Sequence, residues 1–348
     1  METVVSGIRP TGNLHLGNYF GAVKNFIRMQ DEYNCFFFIA DWHSLTTHPA
    51  PSDILGSSRK ILAEYLACGL DPEKSAIYVQ SDVKEVLELY LLLNMNAGIG
   101  ELMRTASFKE KVRKQLHMDQ TESEADVEKE IFNEGNKNRV SVGLLTYPTL
   151  MAADILIHRA CKVPVGKDQE QHLEMARRFA RRFNFTYRCE LFPEPASFTF
   201  AKEAVKIPGL DGSGKMGKSE GNAIYLIDDE KTIRKKVMKA VTDSGPTLPN
   251  SPKPEVIQNL FSLLAVVSTP DCYAYFDEKY NACEIRYGDL KKQLAEDIVR
   301  FCSPIRERIL EYAANETYLD QVAARGAERA RASAQATLQE VRQQIGFR

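Results

Sequence analysis

The sequence predicts an open, mostly parallel α/β sheet in its N-terminal part, followed by a mainly helical region. Short apolar strands alternate with helical patterns over the first part of the chain, which is the arrangement of a parallel sheet with crossover helices. After Lys206 a glycine-rich loop intervenes, and helical patterns then dominate to the end. The chain has 348 residues, which is long enough for two domains. We therefore expect an α/β domain over residues 1–206, a loop over 207–222 and a mainly helical domain over 223–348.

The first elements predict a strand, a turn, a helix and a second strand. Thr3–Ser6 is short and apolar, and the segment 7–12 holds a proline and two glycines, which indicate a turn. From Gly17 onward apolar residues fall at roughly helical spacing. Cys35–Ala40 is a continuous apolar run that ends at Asp41, as in a strand buried on both faces of a parallel sheet.

The following elements continue the alternation. Residues 53–68 show a helical pattern, and residues 76–79 predict another strand. A helix near 84–95 is apolar nearly all round, which is typical of a deeply buried helix or of a subunit interface, and the pattern leaves both open. Residues 112–139 are strongly charged and predict an exposed, partly helical insertion. Residues 223–227 predict a short strand after the loop.

Composition narrows the class of protein. The chain is 44% hydrophobic and 26% charged with a net charge of −2, as in a globular protein without the basic excess of nonspecific duplex-DNA binders. It has no apolar run long enough to span a bilayer and no secretory signal pattern, so we expect a cytoplasmic protein without a membrane partner. The seven cysteines include no C-x-x-C pair, which argues against a disulfide framework or a zinc site.

A first candidate site is the segment Arg9–Asn18, which joins the first strand to the first helix. The start of a helix offers unpaired N–H groups and partial positive charge, and both attract phosphate. His15 can donate a hydrogen bond to a phosphate oxygen, and Gly17 would let a flat base pack on bare backbone. The alternative is a plain turn with a solvated histidine.

A second candidate is the loop Lys215–Ser219, which glycines flank on both sides. Two lysines on such a loop can neutralise a departing pyrophosphate. Residues 212–219 also fit G-x-x-x-x-G-K-[ST], the phosphate-binding loop of another NTPase class. That alternative requires a strand before the loop and a helix after it, and Pro208 argues against the strand.

A third candidate is a single helical face that carries Tyr147, Met151 and Asp154. Their spacing of i, i+4 and i+7 places them on one side of a helix whose other residues are apolar or small. A carboxylate in such surroundings is costly unless a partner satisfies it. We interpret the face as a pocket in which Met151 packs on an aromatic ring and Asp154 accepts one N–H. The alternative is a carboxylate that points to water or caps a neighbouring helix.

A fourth candidate is Val163–His172, where a short strand ends in Gly166 and polar residues open a helix. Ligands of open α/β sheets bind at the carboxyl ends of the strands. Asp168 is placed to bond ribose hydroxyls and Gln169 to bond a substrate amine. The alternative is a simple helix cap by Asp168.

In this order the four segments resemble one family, the class I aminoacyl-tRNA synthetases, and within it the tryptophanyl enzymes. Arg9–Asn18 resembles the P-x-G-x-x-H-x-G-N version of the HIGH motif, and Lys215–Ser219 resembles the KMSKS loop. Residues 143–156 are similar to the helix of the tryptophan pocket, and Val163–His172 to the VPVGxDQ segment. Ala240–Ser244 also matches, so the resemblance spans nearly the whole chain.

The resemblance implies a Rossmann-like catalytic domain over 1–206, a mobile KMSKS-like loop over 207–222 and a helical anticodon-binding domain over 223–348. It implies a homodimer, with the helix near 84–95 at the interface. It also implies ATP-dependent attachment of L-tryptophan to tRNA(Trp) through tryptophanyl-adenylate, with release of AMP and pyrophosphate and with Mg²⁺ accompanying ATP.

The same resemblance implies roles for individual residues. The implied catalytic residues are His15, Lys215 and Lys218. The implied tryptophan-binding residues are Asp154, Tyr147, Met151, Gln169, His43, Val5 and Gly7. The implied ATP-binding residues are Arg9, Pro10, Thr11, Gly17, Asn18, Gly166, Lys167, Asp168, Ile207, Lys215, Met216, Gly217, Lys218 and Ser219.

Three features depart from the family pattern. Gly217 replaces a serine of the loop, Arg9 stands where glutamine is often found, and the insertion at 112–139 is longer than in many bacterial members. Two alternatives remain: a tyrosyl-tRNA synthetase, and a non-catalytic tRNA-binding paralogue, which Gly217 suggests. Two basic helix faces are candidates for tRNA contact or for plain solvation: Arg177, Arg178, Arg181 and Arg182, and Arg234, Lys235, Lys236 and Lys239.

Overall fold

The computed structural model describes residues 1–47, 51–119, 121–136, 139–166, 169–198, 207–212, 214, 216–218 and 220–348, without the side chains of 47 and 51–53. Four predicted site residues lie outside the described residues: Lys167, Asp168, Lys215 and Ser219.

A five-stranded parallel sheet forms the centre of the N-terminal part, in the order β3-β2-β1-β4-β5. The strands are β1 Thr3–Ile8, β2 Asn34–Ile39, β3 Ala76–Val79, β4 Lys162–Val163 and β5 Ala196–Ser197. β1 pairs in parallel register with β2 along its whole length and with β4 on its other side. The strand order reverses between β1 and β4, and such a reversal opens a crevice at the carboxyl ends of the strands. The predicted fold class is confirmed.

Helices surround the sheet and make up most of the rest of the described chain. Those of the first half are α1 Leu16–Asn18, α2 Lys24–Met29, α3 Asp41–Ser44, α4 Pro51–Cys68, α5 Glu85–Asn94, α6 Ile99–Met103, α7 Ala106–Leu116, α8 Glu124–Ile131 and α9 Val142–Leu156. Those of the second half are α10 Glu170–Tyr187, α11 Glu230–Met238, α12 Glu255–Val267, α13 Pro270–Asn281, α14 Tyr287–Ala313 and α15 Glu316–Ile345. A π-helical turn, Tyr19–Val23, joins α1 to α2, and short 3₁₀ helices cover Leu45–Thr47 and Gln80–Asp82.

The apolar strands are buried on both faces, as their continuous apolar runs predict. Val4 and Phe37 belong to one core cluster, whereas Val5, Phe36 and Phe38 belong to the cluster on the opposite face. The first cluster continues past residue 206 into helices α11 to α15, so one packed core links the two predicted domains. Within the described residues, none of the helices has the length and apolar character needed to cross a bilayer.

The C-terminal helix α15 returns to the N-terminal sheet and packs against β3. At the crossing point Gly326 lies directly against the backbone of Ile77, where an added Cβ would come within 1.9 Å of the carbonyl oxygen. Further along α15, Ser333 Oγ hydrogen-bonds His158 Nδ1 at 3.1 Å, and His158 Nε2 meets the Tyr78 hydroxyl at 3.0 Å. The last helix is therefore an integral part of the sheet's packing.

The prediction of a strand at residues 223–227 is wrong. The segment forms only an isolated antiparallel bridge between Tyr225 and His15. Leu16 N–H donates to Ile224 O at 3.0 Å, and Leu226 N–H donates to Leu14 O at 2.9 Å. Pairing stops there because the partner segment turns into helix α1 at Leu16.

Most described residues of the charged insertion at 112–139 are exposed and part of the segment is helical, as predicted, although a few apolar residues in it are buried. Helix α7 begins before it, at Ala106, and buries Phe108, Val112 and Leu116 in a small separate core. Val127 of α8 and Leu144 of α9 complete this core. The i, i+4 spacing of the apolar residues on α7 produces the buried face, although charged residues surround them in sequence.

Candidate active site

A cavity of about 430 Å³ opens at the carboxyl ends of β1, β2 and β4. Its volume lies in the usual range for small-molecule sites. Helices α7 and α9 and the start of α10 close it, and Phe38 and Val165 add apolar walls. Every predicted tryptophan-binding residue lines it: Val5, Gly7, His43, Tyr147, Met151, Asp154 and Gln169.

Asp154 is the buried carboxylate of this cavity, with 3% of its surface exposed. His43 Nε2–H donates to Oδ2 at 2.9 Å, and the amide of Gln80 donates to both oxygens at 2.8 and 2.9 Å. Burial raises the pKa of Asp154, and the hydrogen bonds from His43 and Gln80 oppose that rise. A carboxylate offers about four acceptor positions, so the three bonds leave room for one further N–H donor from the cavity.

Gln80 is a site residue that the sequence interpretation missed. It lies in the 3₁₀ turn that follows β3, and only 1% of its surface is exposed. Its Oε1 has no hydrogen-bond partner among the described residues. Its position directly after a predicted strand, at the carboxyl edge of the sheet, is the signal that could have indicated it.

A chain of hydrogen bonds holds Tyr147 and Gln169 in place. The Tyr147 hydroxyl donates to Ser107 Oγ at 2.5 Å and lies 2.8 Å from His172 Nε2, and Ser107 Oγ lies 2.6 Å from the same nitrogen. His172 Nδ1 lies 2.8 Å from Gln169 Oε1. These contacts are mutually consistent when the Tyr147 hydroxyl donates to Ser107 Oγ, the Ser107 hydroxyl donates to His172 Nε2, and His172 Nδ1–H donates to the amide oxygen of Gln169. Ser107 and His172 were not predicted as site residues, and they orient Tyr147 and Gln169, which were.

Positive charge gathers on the same wall. Lys111 Nζ lies 3.5 Å from the centre of the Tyr147 ring, and Arg9 lines the cavity nearby. Burial, together with repulsion from Arg9, lowers the pKa of Lys111 to about 8. A bound anion would relieve this repulsion, so this wall favours a negatively charged group.

The predicted phosphate-binding turn ends in a capped helix. His15 is the N-cap of α1: its Nδ1 accepts from Asn18 N–H at 3.2 Å, and Asn18 Oδ1 accepts from His15 N–H at 3.1 Å. A Cβ on Gly17 would lie 2.9 Å from the His15 ring, so the ring's position requires glycine there. The packing of a base on Gly17 stays a prediction.

The loop after residue 207 closes over this turn. Met216 N–H donates to Ile207 O at 2.9 Å, and Gly217 N–H donates to Asn222 Oδ1 at 3.0 Å. Lys218 Nζ donates to the carbonyl of Gly12 at 2.7 Å. The two segments that resemble nucleotide-binding motifs therefore lie against each other.

The other predicted ATP residues that the structure describes lie outside the amino-acid cavity, apart from Arg9. Pro10 is buried and Thr11 exposed in the turn itself, and Thr11 N–H donates to Arg9 O at 2.8 Å. Gly166 follows β4, and its carbonyl accepts from Gln169 N–H at 3.0 Å. Among the predicted ATP residues with a described position, Arg9 is the one that also lines the cavity, so it links the two parts of the predicted site.

The alternative phosphate-binding loop of other NTPases is excluded by its surroundings. The residues directly before Gly212, 207–211, form no strand, and the next helix among the described residues begins only at Glu230. The strand and the helix that this motif requires are both missing there.

Comparison with known proteins agrees with this geometry. Residues 2–303 match the family of class I tRNA synthetases for tryptophan and tyrosine (W and Y). The chain is 68% identical to the tryptophan–tRNA ligase of Porphyromonas gingivalis over 348 residues, with 100% of both chains covered. The chain belongs to the tryptophan–tRNA ligase family.

Solved structures support membership of the tryptophan–tRNA ligase family. The tryptophanyl-tRNA synthetase of Campylobacter jejuni, complexed with ADP and tryptophan, is 34% identical and has a TM-score of 0.83, covering 99% of this chain and 100% of that one. A tyrosyl-tRNA synthetase of Archaeoglobus fulgidus is 18% identical with a TM-score of 0.63, covering 88% of this chain and 90% of that one, which shows a shared fold alone. Neither the tyrosyl alternative nor the non-catalytic one is favoured.

Proposed function

We propose that the chain attaches L-tryptophan to tRNA(Trp), first forming tryptophanyl-adenylate from ATP and then transferring the tryptophanyl group to the terminal ribose. The observation that carries this proposal is the buried Asp154 in a cavity that Arg9, from one of the two segments resembling nucleotide-binding motifs, also lines. The full-length similarity to a tryptophan–tRNA ligase supports it.

The cavity suits an indole amino acid. We assign the indole ring to the apolar walls beside Met151 and Phe38, with its N–H donated to Asp154. The ammonium group would bond Tyr147 and Gln169, whose side chains line the cavity and both contact His172.

The chemistry of the first step requires positioning and charge stabilisation. The tryptophan carboxylate is ionised at neutral pH, so it attacks the α-phosphorus of ATP without a general base, and pyrophosphate leaves in line. Negative charge that develops on the phosphates would be stabilised by His15, by Lys218 and by the cationic wall of Arg9 and Lys111. Lys215 is proposed for the same role, on the resemblance alone.

We treat Mg²⁺ as part of the substrate, bound to the phosphates of ATP. Within the described ranges, no three His, Cys, Asp or Glu side chains cluster to hold a metal ion. ATP and tRNA are cytoplasmic substrates, and we place the reaction in the cytoplasm.

The experiment that tests this function is ATP–pyrophosphate exchange with each amino acid in turn. We expect exchange with tryptophan and at most a trace with tyrosine, because a phenol ring is smaller than an indole and carries its donor O–H at a different position from the indole N–H. Exchange with tyrosine but not with tryptophan would overturn the proposal. Binding of tRNA without any exchange would instead favour a non-catalytic protein.

We also propose that two copies pair through α5. Val86, Leu89 and Leu93 face the core, whereas Leu91 and Met95 are 52% and 71% exposed. Leu87 and Ile99 extend this apolar stripe on the surface. A contiguous exposed apolar patch of this kind is typical of an interface with another protein.

The pairing is tested by Leu91→Glu. We expect this variant to sediment as a monomer in analytical ultracentrifugation where the parent sediments as a dimer, because a charge in an apolar interface is left unpaired. Leu310→Glu is the matched control, since Leu310 is 47% exposed on a different helix, α14, and should leave the dimer intact. A parent that is monomeric at micromolar concentration would refute the interface.

For tRNA we propose that the helices after residue 223 bind the anticodon end. The arginines of α10 are largely neutralised, because they form ion pairs with Glu101, Glu170, Glu174 and Glu194. On α11, Arg234 and Lys236 are paired in the same way, whereas Lys235 and Lys239 are exposed. That face is the better candidate for phosphate contacts.

A further inference from the structure

Glu64 is a buried carboxylate that the chemistry described above does not use. It lies on α4 with 1% of its surface exposed. Its Oε2 accepts a hydrogen bond from Leu14 N–H at 2.7 Å, inside the predicted phosphate-binding turn. Burial raises the pKa of Glu64 to about 8, and the bond from Leu14 opposes that rise. Ionising a carboxyl group in such a buried position costs free energy, and groups of this kind are concentrated at functional sites.

Lys218 holds the same turn at its other end. Its Nζ donates to the carbonyl of Gly12 at 2.7 Å, two residues before the Leu14 N–H that Glu64 accepts. The two side chains interact electrostatically: Lys218 lowers the pKa of Glu64, and Glu64 raises that of Lys218, opposing the larger effect of burial. The turn at Gly12–Leu14 is thus held by a lysine from the loop and a carboxyl group from α4.

We propose that Glu64 is a positioning residue for Lys218: ionised, it retains Lys218 on the Gly12 carbonyl, and protonated, it frees Lys218 for the phosphates of ATP. This inference rests on the proposed placement of ATP beside that turn. Both the phosphates and ionised Glu64 attract the same ammonium group, so they compete for it. ATP therefore binds best to the form in which Glu64 is neutral.

Several charged groups surround this pair. Lys60 lies on the same helix and favours ionisation of Glu64, whereas Arg9 repels Lys218. Glu64 in turn raises the pKa of Tyr65 and Cys68, which stay neutral over the range of interest. Lys111 titrates near the same pH, and its loss of charge would also weaken ATP binding. The effect of Glu64 must therefore be measured as the ratio of the ATP dissociation constants of two proteins that both keep Lys111.

The test compares the parent with Glu64→Gln, which has nearly the same shape, can still accept from Leu14 and cannot ionise. The dissociation constant for ATP with Mg²⁺ is measured by calorimetry from pH 6.5 to 9. We expect the two proteins to agree at pH 6.5, and the parent to bind about fivefold more weakly than the variant at pH 9. A ratio that stays constant with pH would overturn the proposal.

A second pair of proteins separates the action through Lys218 from simple repulsion of ATP. In a Lys218→Met background, Glu64→Gln should change ATP binding by the same factor at every pH. A ratio that still rises with pH there would show that Glu64 acts on ATP directly and would refute the positioning role. Tryptophan-dependent exchange by the parent at pH 7 tests the proposed function separately, so the two failures are distinguishable.

Discussion

Asp154→Ala is expected to lower kcat/KM for tryptophan by about 10³-fold or more, with the KM for ATP nearly unchanged. The substitution removes the acceptor for the indole N–H, and it leaves His43 and Gln80 as buried donors without their common partner. The segments predicted to bind ATP make no hydrogen bond to Asp154 among the described residues. The measurement is tryptophan-dependent ATP–pyrophosphate exchange with each substrate varied in turn.

Met151→Leu is the matched control for this prediction, because it lies on the same face of α9 and conserves volume and polarity. It should alter tryptophan kinetics by less than about tenfold. If Asp154→Ala left tryptophan kinetics unchanged, the assignment of the pocket would be withdrawn. Equal losses for tryptophan and ATP would indicate general damage to the site.

Gly326→Ala is expected to lower the free energy of unfolding by about 3 kcal/mol, at the upper end for overpacking. The new Cβ would lie 1.9 Å from the carbonyl oxygen of Ile77 and 2.6 Å from its carbonyl carbon. Both atoms belong to the backbone of β3, so no side-chain rotation relieves the clash, and α15 must move off the sheet. Urea-induced unfolding followed by circular dichroism measures the loss.

Gly56→Ala provides the control for the change of residue itself. Gly56 lies inside α4, is exposed, and has no atom within 4 Å of an added Cβ. This variant should be more stable than the parent by roughly 0.5–1 kcal/mol, because alanine favours the helix. Stability of Gly326→Ala equal to that of the parent would contradict the close packing of α15 on β3.

The part of the site that could be predicted depends on local spacing. The helical face of Tyr147, Met151 and Asp154 follows from the period of the helix, and these residues share the predicted cavity. Buried apolar runs likewise indicated β2 and β3, because a strand covered on both faces has no polar alternation. Predicting such features does not require knowing which helices and strands become neighbours in the fold.

The missed residues reach the site from elements distant in sequence. Gln80 is separated from Asp154 by 74 residues, and Glu64 from Leu14 by 50. Ser107 lies on α7, where the charged residues between the apolar ones made a buried face hard to recognise from the sequence. No local pattern places Ser107 beside Tyr147. Contacts of this kind depend on how the helices pack around the sheet, and spacing along the chain does not record that.

The central claim is that Asp154 selects tryptophan through the indole N–H. The most direct measurement compares tryptophan with its benzothiophene analogue, in which sulfur replaces the indole nitrogen, by kcat/KM in pyrophosphate exchange. We expect the parent to prefer tryptophan by about 10³-fold or more and Asp154→Ala to lose nearly all of that preference. Equal use of both amino acids by the parent would contradict the claim.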